Sequence, residues 1–245
     1  FAERRASKVP GLSGAVALPI TRVGVVGAGT MGVGIAMCVA DAGLPCVLAD
    51  ADLTAAERGY TRIRENYARM VTAGRINAAE ADARQSRVQV VPALDAMHDC
   101  DLVIEAVFED LAVKTGVFRT LDAVVRPDAI LATNTSYLDV NALASASTRP
   151  ERVVGLHFFN PVAQMPLVEI VRGAATDAAA VETCARVVQG LWPEARFEDA
   201  ETGEAFGDAD AIPAERVHEL LIYPDEAAEA AWNAGDGRTP PNSML

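Results

Sequence analysis

Residues 21–50, TRVGVVGAGTMGVGIAMCVADAGLPCVLAD, constrain the fold more than any other stretch of the chain. A β-branched run (Val23, Val25, Val26) meets glycines at 27, 29 and 32, then an apolar helical pattern and a second apolar run from Cys46 to Ala49. The order is strand, tight turn, helix, strand. In GxGxxG the first glycine allows the turn, the second lets backbone approach a pyrophosphate, and the third lets the helix pack on the strand. The helix N-terminus then offers unpaired amides and a partial positive charge to phosphate oxygens. Asp50, 23 residues after Gly27, closes the second strand. A carboxylate there accepts hydrogen bonds from ribose hydroxyls and repels a 2′-phosphate, so NAD is expected rather than NADP.

Downstream, Tyr60, Ile63, Tyr67, Met70 and Val71 fall at helical spacing, predicting one or two amphipathic helices within 54–85. A strand is predicted over Val88–Val91, and Leu102, Val103 and Ile104 form the continuous apolar run of a buried parallel strand. A helix over 110–125, a strand over Ala129–Ala132 and a helix from Val140 follow. Glu105, Glu109 and Lys114 lie at and beyond a strand's C-terminal end, where ligands sit in open α/β sheets, although charged loop residues are commonly just solvated. The cluster Thr133–Ser136 also follows a buried strand. Ser136 suits a ligand contact, or else a helix cap or turn, and residue type alone favours the cap.

The segment RVVGLHFFNPVAQMPLVEIV reads as strand, Asn-Pro turn, strand. Glu169 sits in the middle of the second apolar run, where a lone buried charge is costly. His157, 12 residues upstream across the turn, would offset that cost. A carboxylate on one imidazole nitrogen leaves the other free as a base. A structural histidine beside a solvated glutamate fits the same pattern.

Composition narrows the partners. A net charge of −13 argues against nucleic acid and anionic membrane surfaces, because phosphate contacts need clustered Lys and Arg. Only two lysines occur, Lys8 and Lys114, against nineteen arginines, so Lys114 stands out. Cys38, Cys46, Cys100 and Cys184 show no CxxC spacing, which predicts no metal site and reduced thiols of a cytoplasmic protein. No stretch has the roughly 20 apolar residues that span a bilayer. Residues 1–20, opening FAERRASKVPGLSG, are expected to be a linker, residues 21–190 a dinucleotide-binding domain, and residues 191–245 a divergent acidic tail with a net charge of −10.

The segments GAGTMGVGIA, LVIEAVFEDLAVK, LATNTSYL and GLHFFNPVAQMPLVEIV resemble, in order and spacing, the NAD-binding domain of the L-3-hydroxyacyl-CoA dehydrogenases of fatty acid β-oxidation. The resemblance covers about residues 22–190. It implies an α/β, Rossmann-type, doubly wound and mostly parallel sheet, NAD as cofactor, and an L-3-hydroxyacyl-CoA substrate oxidised to the 3-ketoacyl-CoA. It implies that His157 is the base, that Glu169 orients it, and that Ser136 and Asn160 contact the reacting oxygen and the nicotinamide. Gly27, Gly29, Thr30, Met31, Gly32, Asp50, Glu109, Lys114 and Asn134 would line the cofactor site.

The opening FAERRASKVPGL also resembles the linker between a crotonase-type enoyl-CoA hydratase domain and this dehydrogenase in multifunctional enzymes, so fusion to or association with such a domain is expected. After Leu191 the family continues with a segment ending in Asn-Arg and an all-helical domain, whereas PEARFEDAETGEAFGDADAIPAERVHELLIY follows here. That helical domain is not recognisable. A chain lacking it also suits an NAD-binding protein without turnover, or a structural protein on the same fold.

Overall fold

The computed structural model of the chain describes residues 16–162, 167–193, 196–199 and 219–223. The expected linker and the acidic tail therefore lie largely outside the described residues. Strands β1 (Val23–Val26), β2 (Cys46–Ala49), β3 (Val88–Val90), β4 (Leu102–Glu105), β5 (Ile130–Thr133) and β6 (Val153–Phe158) run parallel, and β7 (Val168–Val171) returns antiparallel beside β6. The helices are α1 (Thr30–Asp41), α2 (Leu53–Thr72), α3 (Ala78–Gln85), α4 (Leu111–Val124), α5 (Val140–Ala144) and α6 (Ala178–Leu191). The predicted elements appear with their ends moved by a residue or two. Of the one or two helices expected within 54–85 the chain forms two, α2 and α3, and Gly74, at φ +68°, lies between them.

The sheet order β3-β2-β1-β4-β5-β6-β7-β9-β8 reverses direction at β1, which places the topological switch point between β1 and β4. The last two strands, β8 (Arg196–Asp199) and β9 (Glu219–Tyr223), come from the stretch set apart as a divergent tail and extend the sheet antiparallel from β7. Sequence reading assigned no strand there because its charged composition hides two short segments whose pairing partners are distant in the chain.

Burial follows the two-residue period of a strand. Val23, Val25, Leu48, Leu102, Ile104, Ile130, Ala132, Val154 and Leu156 face one core with the apolar sides of α1, α2 and α6. Val26, Val47, Val103, Leu131 and Val153 face a second core with α4 and α5. Both faces are covered, so the interior strands read as unbroken apolar runs. Asp52, Asn77, Asp110, Asp139 and Asp177 cap α2 to α6 through their side chains, whereas Gly29 starts α1 with no side-chain cap.

Candidate active site

The β1–α1 turn owes its shape to its glycines. Gly27 adopts φ +100°, and a Cβ there would lie 2.4 Å from the Ala106 carbonyl oxygen. A Cβ at Gly32 would lie 1.7 Å from the Gly27 carbonyl oxygen, so α1 seats on the turn only with glycine at 32. At Gly29 nothing lies within 4 Å of where a Cβ would stand, and Gly29 and Thr30 are exposed. Open space over an uncapped helix start fits a pyrophosphate. Met31 is half-buried against the first core. Asp50 meets the same turn from the end of β2, where its Oδ2 accepts the Ala28 amide at 2.6 Å and its Oδ1 the Ala51 amide at 2.6 Å. These residues fit a dinucleotide whose adenosine ribose lies beside Asp50.

Strands β6 and β7 pair in a register that sets His157 directly opposite Glu169. Residues opposite one another in an antiparallel pair point to the same face. The imidazole Nδ1 accordingly lies 2.8 Å from Glu169 Oε2, with 15% and 20% of the two side chains exposed. Phe159 packs on the imidazole with ring centroids 4.4 Å apart. Toward the other end of β6, α5 covers the same face, and a Cβ on Gly155 would lie 2.8 Å from Val171 Cβ and 3.3 Å from Val140 Cγ2. An ionised Glu169 accepts the Nδ1 hydrogen, which leaves the lone pair on Nε2, and Nε2 makes no hydrogen bond among the described residues.

A buried polar network joins the loops after β4 and β5. Lys114, fully buried on α4, donates to Glu105 Oε1 at 2.7 Å and pairs with Glu109 Oε2 at 3.1 Å. Glu109 Oε1 accepts the Ser136 amide at 2.9 Å and the Thr135 hydroxyl. Burial raises the Glu109 carboxyl, but the bonds from Thr135 and Ser136 and the Lys114 ammonium outweigh it and hold the group below the ordinary carboxylate value. Asn134 Oδ1 accepts the Phe158 amide at 2.7 Å, fixing β5 to β6 one residue beyond His157.

The sequence-nominated residues thus converge at the C-terminal edge of the parallel strands. The helix-cap reading of Ser136 is overturned, because Asp139 caps α5 while Glu109, 27 residues earlier, holds the Ser136 amide. Lys114 lies in the site's floor with no exposed surface, so Glu109 is the exposed end of its ion-pair chain.

Sequence reading missed a groove of about 820 Å³ between α1, α2 and the Asn160–Val162 loop. Thr30 and Asn160 line it together with Arg62, Asn66, Arg69 and Arg75. Arg62 donates to the Ala28 carbonyl and Arg69 to Asn66 Oδ1. Their spacing of 62, 66 and 69 traces one stripe of a helix, a signal indistinguishable in sequence from a solvated face. A Cβ on Gly34 would lie 2.7 Å from Val162 Cγ2, so α1 approaches the Asn160 loop closely only with glycine there. Among the described residues no group of His, Cys, Asp and Glu could hold a metal ion, and no helix is long and apolar enough to cross a membrane.

Residues 22–192 match the family model of the 3-hydroxyacyl-CoA dehydrogenase NAD binding domain. The chain is 39% identical over 207 residues to a 3-hydroxybutyryl-CoA dehydrogenase of Bradyrhizobium diazoefficiens, covering 84% of this chain and 67% of that one. It is 48% identical over 165 residues to the enzyme of the same name in Mycobacterium tuberculosis, covering 66% of this chain and 57% of that one. The crystal structure of 3-hydroxybutyryl-CoA dehydrogenase from Escherichia coli superposes with a TM-score of 0.69 at 39% identity, over 71% of this chain and 37% of that one. A fatty acid oxidation complex subunit alpha of Psychrobacter cryohalolentis is 39% identical over 164 residues, which is 67% of this chain and 23% of that protein. The glycine turn, Asp50 and the His157–Glu169 pair all lie within the matched span, and the chain belongs to the family of 3-hydroxyacyl-CoA dehydrogenase NAD-binding domains.

Proposed function

We propose that this chain carries out the reversible, NAD-dependent oxidation of an L-3-hydroxyacyl-CoA to the 3-ketoacyl-CoA, in fatty acid β-oxidation. The observation that carries the reading is the His157 Nδ1 to Glu169 Oε2 bond of 2.8 Å, which leaves Nε2 open at the sheet edge where the glycine turn also lies. Bound NAD supplies a hydride acceptor. Nε2 takes the hydroxyl proton as the carbon–hydrogen bond breaks and the carbonyl forms, and Glu169 stabilises the imidazolium that results. Ser136, held by Glu109, and Asn160 orient the reacting oxygen and the nicotinamide. Gly27, Gly29, Thr30, Met31, Gly32 and Asp50 hold the adenosine and pyrophosphate half, while Glu109, Lys114 and Asn134 shape the nicotinamide half.

The groove supports a CoA thioester. Its wall carries Arg62, Arg69 and Arg75 against one acid, Glu65, on a chain of net charge −13, an arrangement suited to an elongated anion whose thiol end reaches Asn160. Association with an enoyl-CoA hydratase domain is supported by the likeness to fatty acid oxidation complex alpha subunits, and a cytoplasmic setting by the four free thiols. The test is NADH absorbance loss with acetoacetyl-CoA, for the intact chain and for His157→Ala. Turnover falling about 10²- to 10⁴-fold in the variant, with NADH binding retained, is the expected result. NADH binding without turnover in the unaltered chain would overturn the catalytic reading, and no binding by a folded chain would overturn the cofactor assignment.

A further inference from the structure

Glu105 ends β4 with its side chain fully buried, and nothing in the proposed chemistry requires it. Its Oε1 accepts Lys114 Nζ at 2.7 Å and the Val107 amide at 2.7 Å, and its Oε2 accepts the Thr133 hydroxyl at 2.8 Å. Lys114 is also the cation paired with Glu109, at 3.1 Å. Two carboxylates therefore share one ammonium, and no other cation among the described residues pairs with either. With all three groups ionised the cluster carries one uncompensated negative charge. Burying a charge without its own counter-ion is costly.

The fold indicates what such a charge faces. A dinucleotide lies across the carboxyl ends of the strands at the switch point. Its adenosine half belongs beside Asp50 at the end of β2, so its nicotinamide half belongs on the other side of β1, at the ends of β4 and β5. Glu105, Glu109, Thr135 and Ser136 occupy that side. The oxidised nicotinamide ring is a cation and the reduced ring is neutral.

We propose that Glu105 sets the charge of the cofactor site: by sharing Lys114 with Glu109 it leaves a net negative cluster under the nicotinamide half, which favours the oxidised dinucleotide over the reduced one. The proposal rests on the NAD reading of the site and not on turnover. Glu105 acts through the field of the cluster and through Lys114, as a positioning residue.

The test measures dissociation constants of the full chain for NADH, by its fluorescence, and for NAD⁺, by displacement of NADH. In Glu105→Gln the amide oxygen can still accept from Lys114 and Val107, and the amide nitrogen can donate to Thr133, so shape is kept while one charge is removed. A unit charge acting across on the order of 10 Å at an effective dielectric of about 20 corresponds to roughly a tenfold change in affinity. The NAD⁺ constant is expected to rise about tenfold and the NADH constant by less than about threefold. Glu109→Gln, at the part-exposed end of the cluster, removes the same charge and moves the ratio the same way, which decides the matter should Glu105→Gln fail to fold. Equal changes for the two forms, or no change in their ratio in either variant, would overturn the proposal. A folded chain that binds neither form refutes the NAD reading itself, and the proposal with it.

Discussion

Replacing Lys114 by Met keeps most of the side chain's volume and removes its charge from a site with no exposed surface. Three contacts go: Glu105 Oε1 at 2.7 Å, Glu109 Oε2 at 3.1 Å and the Val107 carbonyl at 3.4 Å. The dominant cost lies in what remains. Glu105 keeps its place inside the protein with only the Val107 amide and the Thr133 hydroxyl to hold its charge. Breaking a buried ion pair from one side costs about 3–5 kcal/mol, a large part of the roughly 5–15 kcal/mol that holds a domain folded.

Urea unfolding followed by circular dichroism measures the penalty. The double variant Lys114→Met, Glu105→Gln should recover most of the loss, because removing both charges of a buried pair is often close to neutral. A Lys114→Met penalty below about 1 kcal/mol, the range of exposed pairs, would refute the reasoning, as would a double variant no more stable than Lys114→Met alone.

Two further perturbations separate scaffold from site. Gly32→Ala should cost about 1–3 kcal/mol in unfolding measurements and weaken NADH binding at least tenfold, since its Cβ collides with the Gly27 carbonyl. Gly29→Ala, with open space around it, should leave stability within about 0.5 kcal/mol while NADH fluorescence titration reads weaker binding. In the acid range, Asp122 is shifted by burial, which raises it, and more strongly by bonds from Ser147, Thr148 and Arg149, which lower it to about 2. The stability it contributes is present above the ordinary carboxylate value and is lost as pH falls from about 4 toward 2, a loss that Asp122→Asn should flatten in acid unfolding curves.

The parts of the molecule legible in the sequence are those governed by local rules. Turn geometry restricts Gly27 and helix packing restricts Gly32, and both restrictions act within a few residues, so the dinucleotide turn could be read directly. His157 and Glu169 were legible as a pair because a charged residue inside an apolar strand demands a partner, and the hairpin between them limits where that partner can be. Residue type favoured a cap for Ser136, and the fold overruled it because Glu109, on a loop from another strand, reaches the Ser136 amide. Sequence alone therefore determined the fold class, the glycine turn, the carboxylate that follows β2 and the pairing of His157 with Glu169, each set by backbone stereochemistry or by the strand period. Tertiary structure alone decided that Lys114 is sealed between two carboxylates, that α2 and the Asn160 loop enclose an arginine-lined groove, and that β8 and β9 complete the sheet. Each of these depends on segments far apart in the chain, and whether a charged residue is solvated or buried against a counter-charge is fixed only when those segments pack.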